Sequence, residues 1–229
     1  MQTEDLELPS TMEVRRRIEN VNKKVYRNAL KFGWLGLCRV SEIVGRVYDS
    51  DIHTKARGPT GDSVEVTEYR GNGESVPAIL FTVRTAKRGG LSRTAAYPVD
   101  PSYEPWAGEL CEYFKEFSPG QTVFDFTRQT LHAEARKAFA GFEYPIEEYY
   151  RMIDDTKIKV DSHYRSMGTH ALRHLRAVDL LQFYGFSVQE LSVIGGWTLG
   201  GMARASSSIS RYAHLDWQSY FKKLLIRRF

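Results

Sequence analysis

Apolar residues first fall into a helical rhythm at Ile18, Val21, Val25 and Leu30, within the stretch STMEVRRRIENVNKKVYRNALKFGWLGL. That spacing predicts one amphipathic helix from Ser10 to the glycines Gly33 and Gly36, with Ser10 or Thr11 as cap and Glu13 placed for a capping box. RVSEIVGRV predicts a second, short helix. Residues 49–63 (DSDIHTKARGPTGDS) are polar and glycine-containing and read as loop. The rhythm then changes to alternation. VEVTEYR, PAILFTVRTA and RTAAYPV predict three strands, the first two joined by the turn GNGES, so that residues 64–99 form a small antiparallel sheet. Helical spacing returns in EPWAGELCEYFKEF (104–117) and TRQTLHAEARKAFA (127–140), whereas residues 141–167 keep no clean period. GTHALRHLRAVDLLQFYG (168–185) predicts a helix over 169–184, with Leu172, Leu175, Val178 and Leu181 on its packing side. SVQELSVIGG predicts another helix, and LGGMARASSSIS is a run of small residues. HLDWQSYFKKLLIRRF (214–229) reads as a terminal amphipathic helix carrying Leu215, Trp217, Phe221, Leu224 and Leu225. The sum is an α+β domain, mainly helical, with a small antiparallel three-stranded sheet.

Composition narrows the class. A chain of 229 residues, 42% hydrophobic and 26% charged, can bury a sizeable core of ordinary globular type. It holds no run of about 18 apolar residues, so no membrane span is expected. The start, MQTEDLELPS, is acidic and lacks the apolar core of a signal peptide; residues 1–9 read as a flexible tail. Cys38 and Cys111 stand without CxxC partners, which argues against a disulfide framework or a zinc knuckle and for a reducing, intracellular compartment. No P-loop, HExxH pair or paired-cysteine pattern occurs, so neither metal nor cofactor is expected. Basic residues gather in clusters: RRR at 15–17, KAR at 55–57, RTAKRGGLSR at 84–93 and IRRF at the end. Such patches suit a polyanionic partner such as nucleic acid.

Two short stretches carry candidate chemistry. In HALRH, His170 and Arg173 are three apart and share one face of a helix. Taken alone, the pair fits equally a packed histidine and a surface ion pair. In GLCRVSE, Arg39 and Glu42 repeat the spacing, which lets a carboxylate orient a guanidinium, the preferred fork for phosphate oxygens. Downstream, IGGWT and SRYAHLDW add an indole and a tyrosine.

Taken in order, WLGLCRVSEIVGR, RTAKRGGLSRTAAYP, THALRHLRA, IGGWT and SRYAHLD resemble the motifs of the tyrosine recombinase (phage integrase) family, across residues 12–229. The resemblance implies that catalytic-domain fold over residues 10–229 and a site-specific DNA recombinase or integrase, an enzyme that cleaves and rejoins DNA strands. By position, Arg39 resembles the first catalytic arginine and Glu42 its supporting acid. Lys87, which competes with Arg84, Arg88 and Arg93 in the same basic region, resembles the β-hairpin lysine. His170 and Arg173 resemble the HxxR pair, Trp197 the indole-or-imidazole position, and Tyr212 the nucleophile, with Tyr220 and Tyr184 as its competitors. These residue types suit the reaction. Arginines and an indole N–H are donors for the charge of a pentavalent phosphorus, and a tyrosine with a pKa near about 10 needs a proton acceptor, here His170. Lys87 would protonate the departing 5′ oxygen, leaving a 3′-phosphotyrosyl link.

Two departures from the family stand out. Trp197 and Tyr212 are separated by the extra stretch GGMARASSS, which leaves cleavage in the same subunit or in a neighbour both open. An amino-terminal core-binding domain has no room before Arg39, so the chain reads as a fragment or a minimal member. Residues 214–229 dock on a neighbouring protomer or pack back on their own domain. The resemblance further implies double-stranded DNA as partner, a monomer in free solution and a tetramer on synapsed sites. It also implies a cytoplasmic or nucleoid location, in a host cell if the gene is viral, and points towards a mobile element. Two alternatives remain: a type IB topoisomerase-like nicking-closing enzyme and a non-catalytic integrase-like DNA-binding protein.

Overall fold

The computed structural model describes residues 9–45, 58–71, 73–85, 92–145, 150–153, 156–159, 164–196 and 216–226. Its first helix, α1 (Thr11–Glu19), is capped by Ser10, whose hydroxyl accepts from the Glu13 amide at 3.2 Å. The single long helix expected here is in fact two. Asn20 closes α1, and α2 (Lys24–Leu35) starts after Val21 and Asn22. Asparagine side chains compete for nearby backbone groups and favour turns over helix interiors, and Val21 sinks into the core at the bend. The break lets each helix bury its own apolar face.

Every residue of α2 from Asn28 to Leu35 is buried, because the helix is covered on several sides. It meets α1, the single turn α3 (Val40–Ile43), α4 (Pro105–Lys115), α5 (Arg128–Ala138) and α6 (Thr169–Gln182). At Gly33 a Cβ would lie 2.7 Å from Ile43 Cδ1, so glycine is what allows α3 to lie against α2.

The strands β1 (Val64–Gly71), β2 (Glu74–Arg84) and β3 (Ser92–Pro98) form an antiparallel sheet in the order β1-β2-β3, as the alternation predicts. Its register pairs Val83 with Arg93 and Arg84 with Ser92. The inner face brings Phe81 against Phe32 of α2 and Phe114 of α4. In the stretch without a clean period lie two short ribbons. There β4 (Glu143–Pro145) pairs with β7 (Tyr164–Ser166), and β5 (Tyr150–Ile153) pairs with β6 (Thr156–Lys159).

Two expectations about the final elements need correction. On α6, Leu172 is buried, but Val178 is 44% and Leu181 36% exposed. Steps of three residues fall short of a full turn by about 60° each, so a strict i+3 stripe swings round the helix. The face that turns inward instead carries Leu172, Arg173, Arg176, Asp179 and Leu180. The terminal helix expected over 214–229 is broken within the described residues, which after α7 (Val188–Gly195) hold α8 (Gln218–Phe221) and a 3₁₀ turn (Lys222–Leu224). Leu215 and residues 227–229 lie outside the described residues. Within 216–226, Tyr220, Phe221 and Leu224 are buried against the chain's own sheet, with Phe221 stacked on Tyr69 at 4.7 Å. No helix among the described residues is long and apolar enough to cross a membrane.

Candidate active site

The turn after α2 sets the first arginine. Leu37 adopts a left-handed backbone (φ 45°), a conformation that costs a residue with a side chain about 1–2 kcal/mol, and the chain swings round into α3. The Arg39 amide donates to Glu42 Oε2 at 2.9 Å, and its guanidinium Nη1 to Oε1 at 3.0 Å. Glu42 is fully buried while the Arg39 side chain is 24% exposed. One edge of this guanidinium is anchored, and the residue still reaches solvent.

Two further guanidinium groups approach the same carboxylate. Arg173, on α6, lies 3.5 Å from Glu42 Oε2 through Nη1 and donates from Nη2 to the Gly195 carbonyl at 2.7 Å. Arg93, on β3, donates from Nη2 to Glu42 Oε2 at 3.0 Å and to the Leu37 carbonyl at 3.3 Å. Its Nη1 donates to the Gly36 carbonyl at 2.5 Å and, closely, to that of Ile194. The last carbonyls of α7 have no partner within their helix, and the arginines supply one, while Arg93 also takes the two carbonyls just past the end of α2. Both arginines are buried. Glu42 thus joins the α2–α3 turn, the sheet and α6, and through them the end of α7.

Charge crowding shows in the titration of the neighbours. Burial, and then the nearby Arg39, pull the Arg173 guanidinium down to about 10. Burial pushes the Cys38 thiol up to about 12, even with Arg93 close by, so it is neutral in this setting. Beyond this group, another buried ionic cluster has a different balance. Arg15 donates to both Glu104 oxygens at 2.6 Å, Arg176 to Asp179 at 2.5 Å, and Thr11 to Asp179 at 2.9 Å. Two cations there face two anions, clamping α1, α4 and α6. At Glu42, among the described residues, three cations face one.

His170 sits in the first turn of α6, exposed, with its Nε2 at 2.9 Å from His174 Nε2. Burial and the Arg173 charge push His174 below its ordinary value. Ahead of it, the Thr169 hydroxyl meets His132 Nδ1 at 3.0 Å, tying the start of α6 to α5.

Of the residues expected to act, Arg39, Glu42 and Arg173 are brought together, and His170 stands one helical turn before Arg173. Lys87, Trp197 and Tyr212 lie outside the described residues. Of the competitors of Tyr212, Tyr184 is buried, and Tyr220 is buried with its hydroxyl donating to the Thr94 carbonyl at 3.0 Å and accepting from the Ala96 amide at 3.1 Å. Burial also pushes the Tyr220 phenol well above its ordinary value. Arg93 entered the sequence reading only as a competitor of Lys87, though the sequence carried a signal for its buried place. In SRTAAYP the alternation places Arg93 on the same face as Ala95 and Tyr97, and an arginine on the apolar face of a strand calls for a buried anion.

Comparison with protein-family models, with curated proteins and with solved structures finds no match to this chain.

Proposed function

We propose that this chain is a DNA strand transferase of the tyrosine recombinase type. It breaks and rejoins a phosphodiester through a 3′-phosphotyrosyl intermediate. The observation that carries the reading is the convergence on one buried carboxylate of Arg39 and Arg173, which stand far apart in the chain. A fork held in this way is suited to phosphate oxygens, and donors fixed beforehand cost no reorganisation when charge builds on a pentavalent phosphorus.

The remaining roles follow from chain position. The connection between β2 and β3 contains Lys87, and its base is tied to Glu42 through Arg93. Trp197 directly follows Gly196, whose preceding carbonyls are bound by Arg93 and Arg173. In the proposed reaction Tyr212 attacks phosphorus and passes its proton to His170. Lys87 delivers a proton to the departing 5′ oxygen, and the Trp197 indole N–H joins the arginines on the non-bridging oxygens. The phosphotyrosyl bond retains the energy of the broken phosphodiester, and attack by a 5′ hydroxyl reverses the steps. Double-stranded DNA is the partner, with a monomer in solution and a tetramer on paired sites.

The test uses nicked suicide duplexes recovered from a randomised pool by SDS-stable capture on the wild-type chain. Arg39→Ala and Arg173→Ala should each slow cleavage on the order of 100-fold or more, with a much smaller loss of DNA affinity. Equal losses of cleavage and binding would reduce both arginines to anchoring contacts. A plasmid with two captured sites separates recombination from simple relaxation.

A further inference from the structure

Both terminal nitrogens of Arg93 donate to protein groups: the carbonyls of Gly36, Leu37 and Ile194, and the carboxylate of Glu42. None of these contacts is to Arg39 or Arg173, yet both of those arginines lean on the carboxylate oxygens that Arg93 helps to place. Glu42 Oε2 receives Arg93, the Arg39 amide and the approach of Arg173. Withdrawing Arg93 removes one of the hydrogen bonds that hold that oxygen against the pull of Arg173. The other side of Arg93 is closed by Gly196. That residue has a left-handed backbone (φ 63°), and a Cβ built on it would lie 2.7 Å from Arg93 Cδ and 2.9 Å from Nε. The absence of a side chain at 196 is therefore what leaves room for Arg93.

We infer that Arg93 is a positioning residue: through Glu42 it aligns Arg39 and Arg173 on one phosphate, and through Ile194 it holds the end of α7 at that place. This inference rests on the proposed strand-transfer reading. A planar fork is needed to reach Glu42 and three carbonyls at once, and an ammonium keeps the charge without that geometry. Arg93→Lys is accordingly the informative change. Gly196→Ala is the second, because it presses on Arg93 from outside while leaving every charge in place.

A positioning role and a merely structural one differ in their response to the charge of the substrate. Replacing one non-bridging oxygen of the scissile phosphate by methyl gives a neutral methylphosphonate, on which two aligned guanidinium groups have less to do. Single-turnover cleavage by the full chain is measured on the captured duplex in both forms, beside the folded fraction of each variant. Arg93→Lys and Gly196→Ala should cleave the phosphate roughly 10- to 100-fold more slowly and the methylphosphonate less than about twofold more slowly. Equal slowing on both substrates, or slowing that tracks the folded fraction, would overturn the inference. If wild type cleaves neither substrate, strand transfer itself fails, and inorganic sulfate reads the site directly. Sulfate should raise the Tm of wild type more than that of Arg93→Lys if Arg93 aligns the anion site, and equal rises would overturn the inference by this second route.

Discussion

Burying a carboxylate costs several kcal/mol unless opposing charge meets it, and Glu42, with no exposure, is met by Arg39, Arg93 and Arg173. Glu42→Gln keeps the shape and removes the charge that holds these cations together. It should lower unfolding free energy by about 3–5 kcal/mol in urea denaturation and abolish cleavage at temperatures where the variant is still folded. A stable, active variant would show that the arginines are arranged by other means. Tyr220→Phe should behave differently. Leaving the Ala96 amide unmatched in the core costs about 1–3 kcal/mol, but a covalent DNA adduct should still form, because the Tyr220 hydroxyl is consumed within the fold. The thiols give a third check. Cys38, pushed up to about 12 by burial, and the buried Cys111, also raised by burial, should resist alkylation at neutral pH in the native protein and react in denaturant. At this scale spacing showed Arg39 with Glu42, and His170 with Arg173, as pairs one helical turn apart, and the structure brings Arg39, Glu42 and Arg173 together. Arg93 was harder to see, because its partners come from two other segments and no local spacing announces a contact between β3, the α2–α3 region and the end of α7.

Helix α6 shows how one element serves two purposes. Arg173 turns towards Glu42, and Arg176, three residues on, turns into the balanced cluster with Asp179 and Glu104. Its neighbours Tyr97 and Asp179 hold the Arg176 guanidinium above its ordinary value despite the cost of burial. An apolar stripe was the natural expectation for this helix because leucine and valine recur every third residue. Charged side chains took the inward face since each found a buried partner from another element. Glu104→Gln breaks that cluster and should cost about 3–5 kcal/mol, read as a lowered urea midpoint. Glu13 is the contrast on the surface of α1. The hydrogen bonds from Arg16 and Arg17 hold its carboxyl down at about 2 from an ordinary 4.5. A depressed carboxylate stabilises the folded state above its ordinary value and loses that contribution as pH falls towards the folded one. Wild type should therefore be more stable than Glu13→Gln above pH 4.5, by far less than it exceeds Glu104→Gln, and the difference should close as pH falls from 4.5 towards about 2. The order of the longer helices and of β1 to β3 was legible because those segments keep a clear period, whereas β4 to β7 lie in a stretch that keeps none. The bend at Asn20–Lys23 was not, because the apolar rhythm continues across it and only the asparagines mark the stop.

Across the whole molecule, the α2–α3 turn, β3, α6 and the end of α7 meet at Glu42, and the segments containing Lys87 and Trp197 adjoin that meeting point in sequence. In the proposed reaction such an arrangement would concentrate cationic donors on the reacting phosphate, and binding of DNA should weaken steeply with added salt as the gain from counterion release shrinks. The sheet also anchors residues 216–226 through Tyr220 and Phe221, so the chain between Gly196 and Asp216, which contains Tyr212, is fastened at both ends to the same domain. Strand transfer of the proposed kind requires a covalent bond between that chain and DNA. The most direct measurement incubates wild type and Tyr212→Phe with a captured suicide duplex and resolves SDS-stable adducts on a denaturing gel. Wild type should form a 3′-linked adduct and Tyr212→Phe none. An adduct that survives the substitution, or a wild type that binds the duplex and never links to it, would contradict the account.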